Sequence, residues 1–334
     1  MSAPSIQSPA TVPETDDEHE QAHAAAAALV RSVCGVVRGA EPTVRLLVCA
    51  LLAGGHALVQ DLPGTGKTTM ARALARAVGG SYARVQATVD LVPGDVTGSG
   101  VWTPSTGGFS FVPGPVFVNV LLVDELNRTS PRTQSAFMEA MDEGAVTVDG
   151  VRHALPDPFF AIATQNPLDQ HGTFPLPEGQ LDRFAVVVGQ HPLDLATELQ
   201  VVREQLARPT VDDVPAVLDP AALRAVRATA RTTHVSGAVL AHAVGVVRAT
   251  REDPRVAQGA SSRAALTLVR VAQAHAVLCG RDHVTPSDTR AVAGAVLAHR
   301  LVLRGGPGSG GSASGEAADV VAALLARVPV PLGS

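Results

Sequence analysis

The stretch HALVQDLPGTGKTT occupies positions 56–69. Its first five residues form a short apolar run between Gly54-Gly55 and Asp61-Leu62-Pro63, which has the length and punctuation of a buried strand. From Thr68 to Val78 the apolar residues recur on one helical face, so a helix is expected there. A glycine-bearing turn between a strand and a helix N-terminus is the setting of a phosphate-binding loop, because backbone amides converge there on anionic oxygens. Pro63, Gly64, Thr65, Gly66, Lys67, Thr68 and Thr69 would form that cradle. Gly64 and Gly66 allow the backbone to turn and approach closely, Lys67 reaches β- and γ-phosphates, and the Thr68 hydroxyl ligates Mg²⁺. Asp61 stands where such loops usually open with glycine. Lys67 is the single lysine among 26 Lys and Arg residues. A chain that uses arginine elsewhere thus keeps one compact, strongly hydrated ammonium, at the phosphate loop.

Working outward, four more apolar runs at 82–86, 118–124, 159–164 and 185–188 alternate with helical segments such as 133–143. Together with 56–60 they predict an α/β fold, a five-stranded parallel sheet covered by helices on both faces. The run VLLVDE at 120–125 ends in two carboxylates. Asp124 is expected to hold Mg²⁺ through water, and Glu125 to polarise the water attacking a phosphoryl group. The run at 159–164 leads into Gln165-Asn166-Pro167, where Asn166 is placed to orient that water or sense the γ-phosphate. ATP and Mg²⁺ are the ligands this set implies. A guanine-specific N-K-x-D motif is missing, as is the L-S-G-G-Q signature of transporter ATPases, so those classes are excluded.

The chain has 334 residues, 46% hydrophobic and 17% charged, which is the composition of a globular protein. Aromatic residues make up only 3%, so Ala, Val and Leu must build the core. A net charge of -5 argues against a broad basic surface for nucleic acid. No apolar run approaches the ~18 residues of a membrane helix, and the opening MSAPSIQSPATVPETDDEHE lacks a signal-peptide pattern. A cytoplasmic protein is expected. Cys34, Cys49 and Cys279 form no CxxC and are read as small buried hydrophobes, without a disulfide framework or zinc site. His56, His171, His234 and His242 are scattered and read as structural or surface residues.

The domain reading runs as follows: a disordered acidic tail over 1–20, a nucleotide-binding α/β domain over 21–190 that opens with helices at 21–38 and 41–53, and a linker over 191–218. A small helical domain over 219–304 has helices at 220–232, 237–251, 262–278 and 286–303. A Gly/Ser linker fills 305–315, and 316–334 holds a last amphipathic helix that could dock on its own domain or on another protein. Asp149-Gly150 predicts a tight hairpin between 146–148 and 151–153, and 98–112 reads as a longer inserted hairpin or loop.

VDELNR at 123–128, ATQNP at 163–167, GTFPLPEGQLDRF at 172–184 and GASSRAAL at 259–266 join the phosphate loop in one ordered set. With VQATVDLVPGDVTGS at 85–99 and PGPVF at 113–117, the chain resembles the MoxR family of AAA+ ATPases over 36–303. The resemblance implies an all-helical lid after the sheet domain, a hairpin inserted into helix 2, and a homo-oligomer in the form of a hexameric ring with nucleotide at subunit interfaces. It gives Arg183 the role of a finger reaching the neighbouring site, with Arg128 and Arg132 as rivals. Arg263 becomes the sensor that couples the γ-phosphate to lid rotation. It also implies a chaperone-like task with a von Willebrand factor A domain partner, maturing a client complex or inserting a cofactor or metal. A chelatase-type motor and a nucleotide-gated scaffold with little turnover are the alternatives. Departures are Val36-Val37-Arg38-Gly39 in place of a V-V-G-Q-like segment, and Ser262 where proline is frequent.

Overall fold

A computed structural model describes residues 14–37, 39–60, 66–105, 107–166, 172–189, 199, 203, 214–305 and 313–330. Its centre is a five-stranded sheet of β1 (Ala57–Gln60), β2 (Tyr82–Gln86), β5 (Val120–Asp124), β8 (Phe160–Gln165) and β9 (Val186–Val188). The strand order is β2-β5-β8-β1-β9, and every pairing is parallel. Register aligns Gln60 with Gln165 and Gln86 with Asp124, so the strand ends that carry polar residues share one edge.

Side chains alternate across this sheet as the strand period of two requires. Ala57, Val59, Val120, Leu122, Phe160 and Ile162 face one core, which also contains the N-terminal helices and the lid. Leu58, Leu121, Val123, Ala161 and Ala163 face a second core with Phe137, Met138 and Met141. The last three lie on α5 (Pro131–Glu143), which is capped by Ser130 and ended by Gly144 at φ 56°. On the first face are α1 (Glu14–Cys34), α2 (Glu41–Ala53) and α3 (Lys67–Ala77). α2 ends on Gly54, whose left-handed φ of 73° lets the chain turn directly into β1.

Two antiparallel hairpins stand apart from the sheet. A short α4 (Pro93–Thr97) leads into β3 (Gly98–Thr103) and β4 (Gly108–Pro113), as expected for the insert. β6 (Ala145–Val148) and β7 (Val151–Ala154) flank Asp149 and Gly150, both at positive φ, the turn that the Asp-Gly pair predicts. A single turn, α6 (Glu178–Leu181), precedes β9.

The lid contains α7 (Pro220–Thr232), α8 (Gly237–Glu252), α9 (Ser262–Leu278) and α10 (Pro286–Leu297). It also carries a small antiparallel ribbon of β10 (Val256–Gln258) and β11 (Val302–Leu303). The helix expected over 286–303 therefore stops at Leu297. Arg300 donates to Asp182 Oδ1 at 2.6 Å and to the Phe184 carbonyl at 2.8 Å, which holds the chain in a 3-10 turn against the sheet domain.

Two boundaries differ from expectation. α1 begins at Glu14, inside the segment read as a disordered tail. Asp17, Glu18 and Glu20 lie in its opening turns, where negative charge meets the positive helix end, and Ala22, Ala26, Leu29, Val30 and Val33 are buried at helical spacing. Residues 1–13 lie outside the described residues, as do most of the expected linkers at 191–218 and 305–315. The last helix, α11 (Ala313–Arg327), starts within that second linker and belongs to the lid, packing on α8 and α10 through Val320, Val321 and Leu324. Among the described residues no helix is long and apolar enough to cross a membrane.

Candidate functional site

The sheet edge where β1, β5 and β8 end gathers most of the residues singled out above. Gly66, at φ 82°, opens α3, with nothing within 4 Å of the position its Cβ would take. Lys67, Thr68 and Thr69 form the first turn of α3 and are half-buried. Pro63, Gly64 and Thr65 lie outside the described residues, together with Asp61 and Leu62.

Asp124 ends β5 at 6% exposure. Its Oδ2 accepts from Arg84 Nε at 2.6 Å, and its Oδ1 accepts from the Thr164 hydroxyl at 3.3 Å. The next residue, Glu125, takes φ 57° and ψ 47°, a left-handed conformation that costs a non-glycine residue about 1–2 kcal/mol. Its amide donates to Thr164 Oγ1 at 2.9 Å, so the neighbouring strand fixes the turn. The Glu125 carboxylate lies 3.1 Å from Arg128 Nε and accepts from Gln86 Nε2 at 3.3 Å. Asn166 follows β8 directly and is half-buried, and the Oε1 of buried Gln165 beside it has no hydrogen-bond partner. An ammonium, a hydroxyl and two carboxylates form a set of hard oxygen donors with one cation, suited to a phosphate and Mg²⁺.

Arg183 and Arg263 lie elsewhere. Arg183 precedes β9 and Arg263 sits in the first turn of α9, yet both pair with Asp142 in the last turn of α5. Arg263 NH2 is 3.1 Å from Asp142 Oδ1, and Arg183 NH1 pairs with Asp142 Oδ2. The group borders a cavity of about 220 Å³ that also touches Gly55, His56 and Arg270. His56 immediately precedes β1, so this is the strand edge opposite the phosphate loop, four residues or about 13 Å away along β1. Arg263 thus lies at the end of the sheet away from the Lys67 of its own chain, because α9 packs on α2 and brings its N-terminus over the end of α5. The rival arginines are on the other edge, Arg128 beside Glu125 and Arg132 exposed in the first turn of α5.

His56 is part of the frame beneath the cavity. Nε2 donates to the Met141 carbonyl at 2.9 Å and Nδ1 accepts from the Ala161 amide at 3.0 Å, which fixes one neutral tautomer. Burial pushes its pKa down to about 4.

Arg84, Thr164, Gln86 and Asp142 were missed in the sequence. Each acts across strands or elements, and no local pattern marks them. His275, Cys279 and Asp288 also cluster within the lid. Buried Asp288 accepts from the Thr285 amide at 2.8 Å, from its hydroxyl at 2.7 Å, from His275 at 2.7 Å and from Arg281. Its oxygens are thus committed to capping α10 and tying it to α9. Burial alone would raise its pKa, but these hydrogen bonds and the Arg281 charge hold it at about 2. Cys279 is half-exposed, with Arg45 NH2 3.6 Å from its sulfur, and Cys34 is half-exposed too, so only Cys49 is the buried hydrophobe expected of all three. Burial pushes the Cys49 thiol up to about 12. His242 is buried, and His171 lies outside the described residues.

Comparison with known proteins agrees with this fold. Residues 56–186 match the model of the ATPase family associated with various cellular activities (AAA), and residues 248–323 match the AAA lid domain. Bacillus subtilis YeaC is 40% identical over 85% of this chain and 89% of its own length. The chaperone MoxR1 of Mycobacterium tuberculosis is 35% identical over 80% of this chain and 73% of its own. Protein MoxR of Methylorubrum extorquens is 31% identical over 92% and 95%. The crystal structure of a protein classed as an ATPase from Cytophaga hutchinsonii superposes with a TM-score of 0.85 at 32% identity, covering 95% of this chain and 98% of that one.

Proposed function

Because the chain belongs to the MoxR family of AAA+ ATPases, we propose that its ATP hydrolysis takes place at sites completed between two copies of the chain. The observation that carries this reading is the separation of the two groups. The cation, hydroxyl and carboxylates occupy one edge of the sheet, whereas Arg183 and Arg263 share Asp142 at the other. Arginines about 13 Å away along β1 cannot answer charge that develops at their own phosphate loop. A neighbouring protomer can present them, and a ring of six would close the arrangement.

The chemistry follows from the residues. Lys67 and the amides that open α3 hold the β- and γ-phosphates. Thr68 and Asp124 would hold Mg²⁺, which when bound offsets phosphate charge. Glu125 accepts a proton from the attacking water. Arg128 and Gln86 hold its carboxylate until it is needed. Asn166, on the adjacent strand, orients that water. Arg183 and Arg263 of the neighbour stabilise charge on the phosphoryl group, since a planar guanidinium offers paired donors to phosphate oxygens. Loss of the γ-phosphate removes those contacts and frees the lid to shift against the sheet, which is the mechanical output. The relative named as a chaperone supports a remodelling task on a client complex, for which we propose a von Willebrand factor A domain partner.

The test is ATP turnover per subunit across a wide range of protein concentration, with Glu125→Gln and Lys67→Ala as controls. The specific rate should climb with concentration, vanish in Glu125→Gln with ATP still bound, and vanish in Lys67→Ala with binding lost. A rate independent of concentration in wild type would refute completion between subunits.

A further inference from the structure

We infer that Asp142 is a positioning residue for hydrolysis, joining Arg183 of the sheet domain and Arg263 of the lid into one unit presented to the neighbour's nucleotide. The inference rests on the neighbour-site reading above and assigns a role that neither the phosphate loop nor the acid pair supplies.

Three observations support it. First, the carboxylate is divided between two domains: Oδ1 serves Arg263 and Oδ2 serves Arg183. Two guanidiniums converging on one cavity repel each other, and one carboxylate between them allows both to point the same way. Second, Asp142 is out of place by local rules. It lies in the last turn of α5, a turn without a basic residue of its own, so the negative end of the helix opposes it. The arginines provide the compensation that its own helix lacks. Third, the cavity beside them is built from rigid parts. Arg300, nearly buried, is fixed by Asp182 and the Phe184 carbonyl, and His56 is fixed by Met141 and Ala161. Among the described residues, Arg183, Arg263 and Arg270 are the cations at its margin that are not fixed in this way. Asp142 therefore occupies one side of each guanidinium and leaves donors for phosphate oxygens.

The lid and the sheet domain meet the neighbour through the same pair, so their relative placement sets the spacing of the two arginines. Misplacing such a group by about 1 Å can lower turnover on the order of a hundredfold. Asp142→Asn keeps volume and helix but removes the charge, and should lower kcat by about 10- to 100-fold with KM for ATP within about twofold. Asp142→Glu should recover part of the loss.

A mixture identifies the protomer in which the defect acts. An Asp142→Asn protomer retains its own Lys67 and Glu125, whereas a Glu125→Gln protomer retains the arginine pair. Mixed assemblies should therefore turn over ATP faster than either variant alone. Asp142→Asn with kcat within twofold of wild type, while Arg183→Ala is inactive, would overturn the role of Asp142 and leave the neighbour-site reading standing. No recovery in a mixture shown by crosslinking to co-assemble would overturn it as well. Arg183→Ala at the wild-type rate would remove the neighbour-site reading, and this inference with it. Because the lid could also loosen, binding of a fluorescent ATP analogue and the melting temperature should be measured for each variant. A purely structural defect would lower both and would not be rescued in mixtures, and that result also overturns the inference.

Discussion

At the scale of single residues, the hydroxyl of Thr164 has an unusual share of the acid edge. It accepts from the Glu125 amide and donates to Asp124, so one buried side chain on β8 serves both acids at the end of β5. Thr164→Val keeps the shape and leaves that amide without its partner, a loss of about 1–3 kcal/mol for a buried group. Turnover should fall by about tenfold or more, and Thr164→Ser should retain most of it. Steady-state hydrolysis of the three proteins decides, and an unimpaired Thr164→Val would show that the hydroxyl is dispensable. Asp124 and Glu125 are legible in the sequence because two acids terminate an apolar strand, and Lys67 because it is the single lysine in a glycine turn. Thr164 and Arg84 are not, since their importance depends on which strand lies beside β5. That pairing joins residues about 40 positions apart along the chain.

Among the elements, α9 shows how a cap sets the place of a candidate site residue. Ser261 accepts from the Ala264 amide at 3.3 Å, and Arg263 falls in the turn that this bond fixes. Ser261→Ala should cost about 1 kcal/mol of stability, read as a lower urea midpoint. It should also reduce turnover more than Ser236→Ala, which removes the equivalent cap from α8, a helix that carries none of the candidate site residues. Equal effects on turnover would mean that the cap acts on stability alone. The limits of α2, α7 and α9 follow from sequence because proline, glycine and capping residues mark them locally. The end of α10 does not, because tertiary bonds from Arg300 override its helical period. Nor does the start of α1, whose acidic opening resembles a disordered segment until its apolar stripe is seen against α2, α3, α7 and α9. Arg183 and Arg263 were legible only through the motifs that contain them, and their meeting at Asp142 depends on how the lid is seated.

For the whole molecule, two apolar layers share one sheet, and the histidines buried within them make the fold sensitive to acid. The unfolded chain takes up a proton at each histidine near pH 6.5, while burial holds His56 at about 4 and, with Arg300 nearby, holds His299 well below its usual range. Between these values the unfolded state binds more protons, so stability falls as pH falls through 6.5. At pH 5, His56 alone should cost roughly 2 kcal/mol. Asp288, held at about 2, keeps its contribution until pH drops below the unfolded carboxylate value near 4. The loss between pH 7 and 5 thus belongs to the histidines. Urea midpoints at the two pH values measure it, and equal midpoints would contradict the burial of neutral imidazoles. One more consequence comes from α5. Its 13 residues make a rod of about 20 Å that starts three positions after Arg128 and ends among the arginines. The chain therefore carries the Glu125 edge and the Arg183–Asp142–Arg263 group at opposite ends of one stiff strut. Under the proposed completion of sites between copies, a displacement of one end of this strut would reach the other end as a rigid-body motion, so the two junctions of a protomer would not move independently.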